Sequence, residues 1–280
     1  MERIQAAIQK AKERRGGDAP PAPSPGAGPR LGAGIGNGRP ARAAAIGPAW
    51  AELAAFEPDP RHLARHRVVT FADTDPAHAA FDMMRTKVLR AMRANGWTAL
   101  GITSPTADCG KTTLAANLAF SLAHQPEVRT VLVDLDLRRP MVAKTLGLAV
   151  PQSMAAVLQG TRGVAENFVR YGETLAIGTN AAPVRASAEL LMNPATAQGV
   201  AALKAAFLPD VVVYDLPPML ASDDVMAFLP HLDCVLLAAA AEQTRLDEVD
   251  RCEQDLAETV PVLGVVLNKC RYTGEDYGYY

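Results

Sequence analysis

A chain of 280 residues with a formal net charge of −2 has room for one large or two small domains, and its near-neutral balance gives no general electrostatic case for nucleic acid as a partner. The hydrophobic fraction of 49% supports a sizeable core, yet the longest apolar run, Cys234 to Ala241, falls far short of the ~20 residues that cross a bilayer and reads as a buried strand. Cys109, Cys234, Cys252 and Cys270 stand at no CxxC spacing, which argues against a zinc site or a disulfide framework and fits a reducing cytosol. Met1 to Arg15 lacks the apolar stretch of a signal peptide, so a soluble chain is expected, brought to a membrane only through a partner.

Residues 1–15 are predicted to form a short amphipathic helix, with Ile4 and Ile8 on one face and Ala7 and Ala11 alongside. Residues 16–66 are predicted to be a largely disordered linker: Gly, Pro and Ala dominate it as far as Pro48 and bury too little apolar surface to offset ordering. Trp50 to Arg67 carries no decisive pattern. Gly32, Gly34 and Gly36 follow no strand and open no helix, so they are not a dinucleotide fingerprint.

Residues 67–271 are expected to form the folded domain. Helices are predicted over Ala79–Ala94, Lys111–His124, Ser153–Leu158, Ser187–Phe207 and Leu246–Glu258. Strands are predicted over Trp97–Thr103, Arg129–Leu135, Leu175–Gly178, Val211–Asp215, Cys234–Ala240 and Val262–Asn268. The near-continuous apolar character of the strands suits a sheet covered on both faces. Alternating strands and helices predict an α/β fold with a doubly wound, mainly parallel sheet. Residues 272–280 form a tail holding four of the six tyrosines, Tyr272, Tyr277, Tyr279 and Tyr280. Its Gly-containing, acidic composition builds no core.

The strand ending at Thr103 runs into Ser104-Pro105-Thr106-Ala107-Asp108-Cys109-Gly110-Lys111-Thr112-Thr113 and then a helix, the context a P-loop requires. Backbone N–H groups of such a loop cradle phosphates at a helix N-terminus. Lys111 would reach the β- and γ-phosphates, Thr112 would place its hydroxyl on Mg²⁺, and Thr113 could bond the α-phosphate. Pro105 stands where the GxxxxGK(S/T) pattern has its first glycine. Two apolar strands then deliver carboxylates at their C-terminal ends: Val131-Leu132-Val133-Asp134-Leu135-Asp136-Leu137-Arg138-Arg139-Pro140 and Val211-Val212-Val213-Tyr214-Asp215-Leu216-Pro217-Pro218. That edge of an open α/β sheet is where ligands bind. Taken singly, the loop reads equally as a chance GKT and each aspartate as a helix cap. Taken together, they read as a P-loop NTPase with deviant Walker motifs.

These residues resemble the bacterial tyrosine kinase family, the cytoplasmic autokinases of capsule and exopolysaccharide production. Val131 to Pro140 is similar to the family's hydrophobic-DxDLRRP signature, and Asp215-Leu216-Pro217-Pro218 to its D-T-P-P strand. Pro151 to Gly160, Ser187 to Leu191 and the tyrosine tail extend the likeness over Ala77 to Tyr280. The resemblance implies ATP and Mg²⁺ as cofactors. Thr106, Ala107, Asp108, Cys109, Gly110, Lys111, Thr112 and Thr113 would hold the nucleotide, and Asn268 could bond the adenine. Lys111, Asp134, Asp136 and Asp215 would be the catalytic set, with Asp134 accepting the tyrosine proton. Thr112, Asp134, Asp136 and Asp215 would be the metal set. The tail tyrosines would be the phosphoacceptors, modified between molecules: a short tether limits the reach of Tyr272 into the home site, while Tyr277, Tyr279 and Tyr280 are freer and expected to be the main acceptors. A separate membrane activator of the polysaccharide chain-length-determinant type, self-association, and a cytoplasmic position at the inner face of the plasma membrane are implied as well.

The chain departs from the family in two places. Asp108 replaces a usual glycine, and the oligomerising E-x-x-R-x-x-R helix reads Ala79, Asp82, Arg85. Two other readings stay open on the sequence: a deviant-Walker ATPase switch of the septum-site or partition type, and a catalytically weak scaffold. The first of these usually has a lysine early in the P-loop, where this chain has Ser104, Pro105 and Thr106.

Overall fold

The structure is a computed structural model that describes residues 48–71, 75, 77–149 and 152–270. The predicted helix over 1–15, most of the predicted linker and the tyrosine tail lie outside the described residues.

The disordered linker predicted over 16–66 does not extend to residue 66. From Pro48 the chain is folded: α1 (Pro48–Glu52), β1 (Ala54–Ala55) and α2 (Pro60–Arg65) precede the expected domain boundary. Composition averages hid three large apolar side chains, Trp50, Leu53 and Leu63, all buried. Trp50 packs edge-on against Phe207 and donates its Nε1–H to the Phe207 carbonyl at 2.9 Å. Asp59 caps α2 by accepting the Arg61 N–H at 2.9 Å, and Pro60 opens the helix with its φ already set.

The remaining elements follow in order. They are α3 (His78–Asn95), β2 (Ala99–Ser104), α4 (Lys111–Ala123), β3 (Thr130–Asp134), α5 (Val142–Leu146), α6 (Met154–Leu158), β4 (Phe168–Tyr171), β5 (Leu175–Gly178), α7 (Ser187–Met192), α8 (Pro194–Phe207), β6 (Val211–Pro218), α9 (Asp224–Phe228), β7 (Cys234–Ala240), α10 (Leu246–Ala257) and β8 (Val262–Asn268). The single helix expected over 187–207 is two. Asn193 leaves helical geometry at ψ 138° and its side chain caps Ala195 N at 2.9 Å, with Pro194 opening the second helix.

The strands lie in the order β1-β4-β5-β3-β6-β2-β7-β8. Neighbours run parallel except β4 and β5, so the doubly wound, mainly parallel fold expected from the sequence is present. Each central strand feeds two cores. Val131, Val133, Val212, Tyr214, Val235 and Leu237 point to one face, and Leu132, Val211, Val213 and Leu236 to the other. Burial on both faces is why these strands read as unbroken apolar runs. Register then builds the site. Asp134 of β3 is paired with Asp215 of β6, and Ile102 of β2 with the same Asp215, which brings both aspartate strands to the edge where the P-loop begins.

Trp50→Ala is expected to cost about 3–5 kcal/mol in urea unfolding, the range for removing a fully buried tryptophan. A chain begun at residue 67 should be destabilised at least as much, whereas Arg61→Ala, on an exposed position, should stay within about 0.5 kcal/mol.

Candidate nucleotide site

The turn after β6 grips the start of the loop. Thr103 Oγ1 donates to the Pro217 carbonyl at 2.7 Å, Met219 N to Ser104 O at 2.7 Å and Leu220 N to Pro105 O at 3.0 Å. The proline in the place of the first glycine is thus tolerated, because its carbonyl, not its nitrogen, makes the contact. Two residues carry the loop's left-handed backbone: Asp108 at φ 61° and Gly110 at φ 84°. A Cβ on Gly110 would collide with the Asn268 amide. That amide donates to the Cys109 carbonyl at 3.0 Å, so Asn268, at the end of β8, supports the loop from behind. Cys109 is buried with its Sγ 3.4 Å from Thr244 Oγ1. Burial opposes its thiolate, but hydrogen bonds with Thr244 and Thr106 outweigh that and hold the thiol below its ordinary pKa.

Beneath the loop sits a buried charge cluster. Lys111 Nζ pairs with Asp136 Oδ2 at 2.7 Å, and Asp136 Oδ1 accepts the Arg139 N–H at 3.0 Å. Asp134 is fully enclosed. Its Oδ1 accepts from Asp136 N at 3.2 Å and its Oδ2 from Val142 N at 3.0 Å, so it holds the turn between β3 and α5. Asp215 is as deeply buried, yet neither of its oxygens completes a hydrogen bond. Burial pushes its carboxyl up to about 6 against the pull of Lys111 and the neighbouring Thr112 hydroxyl. Burial, then Asp215 alongside, pushes Asp134 well above the usual carboxylate range. For Lys111 burial favours the neutral amine, but attraction to Asp215 and Asp136 outweighs it and keeps the ammonium charged.

The loop and cluster border a cleft of about 480 Å³. Of the residues singled out in the sequence, Ala107, Asp108, Gly110, Lys111, Thr112, Thr113 and Asp136 line it. Thr106, Cys109, Asp134, Asp215 and Asn268 lie around it without lining it, and the four tail tyrosines are outside the described residues. The structure adds further lining: Arg138, Arg139 and Met141 from the β3–α5 turn, Thr145 from α5, Pro217 and Pro218 at the end of β6, and Ala221 and Ser222 after it. The arginines and prolines were legible in the two signature runs; Thr145 and Ser222 left no signal. Among the described residues, no three His, Cys, Asp or Glu side chains are placed to hold a metal ion alone. The donors present suit Mg²⁺ shared with phosphate and water, since they are hard oxygens: the Thr112 hydroxyl and the two unpartnered oxygens of Asp215.

A P-loop running from a central strand of a mainly parallel sheet into a helix, with two acidic strand ends on the strands to one side of it, defines a nucleotide-binding domain of the P-loop class. The chain belongs to the CobQ/CobB/MinD/ParA nucleotide binding domain family, whose model matches residues 100–276. Its relatives are bacterial tyrosine-protein kinases. It is 30% identical over 213 residues to tyrosine-protein kinase wzc of Salmonella typhi, covering 74% of this chain and 29% of that protein. It is 28% identical over 182 residues to tyrosine-protein kinase YwqD of Bacillus subtilis, covering 64% of this chain and 76% of that protein. Among solved structures, the kinase domain of Escherichia coli tyrosine kinase ETK superposes with a TM-score of 0.63 at 27% identity, over 74% of this chain and 82% of that one. The match thus spans under a third of the Salmonella protein. The likeness to bacterial tyrosine kinases and the P-loop fold expected from the sequence are both borne out. No helix among the described residues is long and apolar enough to cross a membrane.

Two outcomes test this geometry. Asp215→Asn removes a buried carboxylate with no hydrogen bond, so the variant should be the more stable one in nucleotide-free, Mg²⁺-free buffer. Because the folded pKa is raised above its unfolded value of 3.8 to about 6, ionisation disfavours the fold. The gap should therefore be absent below pH about 4, open up to pH about 6 and persist above, reaching about 1–3 kcal/mol in denaturant titrations at each pH. Asp108→Gly places a residue with no Cβ at a left-handed position and removes an anion from the cleft wall. Calorimetry should show nucleotide binding tightened by a few-fold, on the order of 1 kcal/mol.

Proposed function

We propose that this chain is an ATP-dependent protein-tyrosine autokinase. It phosphorylates Tyr272, Tyr277, Tyr279 and Tyr280 of a second copy and thereby regulates exopolysaccharide or capsule polymerisation and export. The observation that carries this reading is the Lys111–Asp136 pair on the cleft floor, 2.7 Å apart, with one cation for a phosphate and one carboxylate for a proton at the same point. The names of the relatives and the tyrosine-rich end of the chain support the choice of acceptor.

ATP is the substrate, its phosphates cradled by the backbone of residues 106–113. The phenol oxygen of the incoming tyrosine bonds to the γ-phosphorus as the bond from phosphorus to the β,γ-bridging oxygen breaks. ADP leaves with that oxygen, and the phenol proton passes to a carboxylate. Asp136 takes this role rather than Asp134: it borders the cleft, while both oxygens of Asp134 are engaged by backbone N–H groups. Lys111 exchanges Asp136 for the γ-phosphate and neutralises its charge. Thr112 and Asp215 would hold Mg²⁺ together with phosphate and water, and the ion would supply further charge neutralisation. Asn268 keeps the loop in shape through the Cys109 carbonyl. A separate membrane protein of the polysaccharide chain-length-determinant type recruits and activates the chain at the inner face of the plasma membrane, and copies associate for the transfer.

Phosphotyrosine is expected on the purified protein after incubation with ATP and Mg²⁺, and Lys111→Met should reduce it by at least ~10²-fold while far-UV circular dichroism is retained. Mixing a Lys111→Met chain that has an intact tail with an active chain whose four tail tyrosines are Phe should place phosphate on the Lys111→Met chain. Nucleotide binding with no phosphotyrosine in either mixture would point to an ATPase switch instead, and a rate independent of protein concentration would exclude transfer between molecules.

A further inference from the structure

The wall of the cleft away from the P-loop carries two adjacent arginines that the structure treats differently. Arg138 is consumed by the fold. Its Nε donates to Ser187 Oγ and Asp224 Oδ1, both at 3.1 Å, and a terminal nitrogen reaches Asp224 Oδ1 at 2.9 Å and Asp223 Oδ1 at 3.2 Å. It thereby ties the β3–α5 turn to the first turns of α7 and α9. Among the described residues, Arg139 is held only by its backbone, through the N–H bond to Asp136 Oδ1 at 3.0 Å. Its guanidinium is exposed, lines the cleft and has no ion-pair partner among the described residues. Because Asp136 also holds Lys111, the backbone of this open cation is anchored at a set position beside the reacting end. The same cleft is lined by the apolar Pro217 and Pro218 and by Ser222, whose buried hydroxyl oxygen has no partner among the described residues.

The tail tyrosines differ in the charges that precede them. Tyr272 follows Lys269 and Arg271, whereas Tyr277 directly follows Glu275 and Asp276. A cation at the cleft mouth attracts the second sequence and repels the first. We infer that Arg139 is the specificity-determining residue that draws the Glu275–Asp276 step of a second copy's tail to the cleft, so that Tyr277 is modified before Tyr272. This inference rests on the tyrosine kinase reading. The reaction itself is unchanged: the Tyr277 oxygen takes the γ-phosphoryl group, ADP leaves and the phenol proton goes to Asp136. An order of addition follows. Phosphate on Tyr277 adds about −1.5 to −2 charges two residues before Tyr279, in the place Glu275 occupies relative to Tyr277, so Tyr279 becomes the next substrate for the same cation. Fork-shaped guanidinium recognition of a phosphate favours this second step over the first.

The test uses full chains. The enzyme has its tail tyrosines replaced by Phe. The acceptor is a Lys111→Met chain that keeps only Tyr277 or only Tyr272, and transfer is read by phosphopeptide mass spectrometry. The wild-type cleft should prefer the Tyr277 acceptor in kcat/KM. Arg139→Ala should reduce that preference about fivefold, a modest change because the cation is solvent-exposed. Arg139→Glu should invert it, and pairing Arg139→Glu with an acceptor carrying Glu275→Lys and Asp276→Lys should restore transfer to Tyr277. A preference that Arg139→Ala leaves intact, a loss that falls on the KM for ATP alone, or failure of the reversed-charge pair would overturn the inference while leaving the kinase reading standing. Absence of phosphate on every acceptor with the wild-type enzyme would overturn both.

Discussion

Three buried carboxylates share one buried ammonium. Lys111 pairs with Asp136, while Asp134 and Asp215, brought together by the β3–β6 register, lie fully buried beside them. Moving an ion into such a site costs several kcal/mol, and one lysine cannot compensate three anions. Burial first, and then the neighbouring carboxylates, raises the pKa values of Asp134 and Asp215, while those same carboxylates keep Lys111 charged. Stability alone would favour apolar residues here. The arrangement is what a site needs that must take up cations and phosphate together. On the proposed reading, arriving phosphate lets Lys111 exchange one anion for another without passing through an unpaired state. Asp136, released from it, would then be free to act, and its bond from the Arg139 N–H ties it to the β3–α5 turn.

The cluster keeps its geometry because rigid elements hold the loop from several directions. The β6 turn grips residues 103–105 and Asn268 props Cys109 from the end of β8. The third support reaches further. Asn117, buried in the middle of α4, accepts the N–H groups of Val69 and Thr70 at 2.7 and 3.1 Å and donates to Arg67 O and Thr113 O, both at 2.8 Å. One side chain thus joins the segment before α3 to the first turn of the P-loop helix. That segment is continuous with α1 and α2, which Trp50 and Leu63 anchor in opposite cores.

What was legible in the sequence was what periodicity and strand-end chemistry can show. Continuous apolar runs marked the central strands because both faces are buried, and the two acidic strand ends located the cleft. Short elements were not legible. β4 pairs antiparallel at the sheet margin, and α5 and α9 are too brief for a helical period to register. The folded stretch from Pro48 was lost because a few large side chains carry it amid Gly, Pro and Ala. Asn268 and Asp134 show a different limit. Residue type and position on a strand end were read correctly, but only coordinates show that Asn268 supports the loop and that Asp134 spends its oxygens on backbone N–H groups.

The arginine that survives from the family's oligomerising pattern is informed by the same reasoning. Arg85 donates to Asp82 at 2.6 Å and to the carbonyl and hydroxyl of Ser121, within its own chain. Asp82 also receives the Ser121 hydroxyl and faces His78 at 3.3 Å. A guanidinium so occupied has little left to offer a neighbouring copy, and releasing it would strand a half-buried charge. Assembly through this helix face would therefore have to break a network that already stabilises the α3–α4 contact. The proposed transfer between copies would need only an encounter that brings one tail to another cleft, and a charged peptide drawn to an exposed cation would meet that need without a permanent ring. On this view, the loss of glutamate and the first arginine at Ala79 and Asp82 and the retention of an open Arg139 at the cleft are consistent features of one chain.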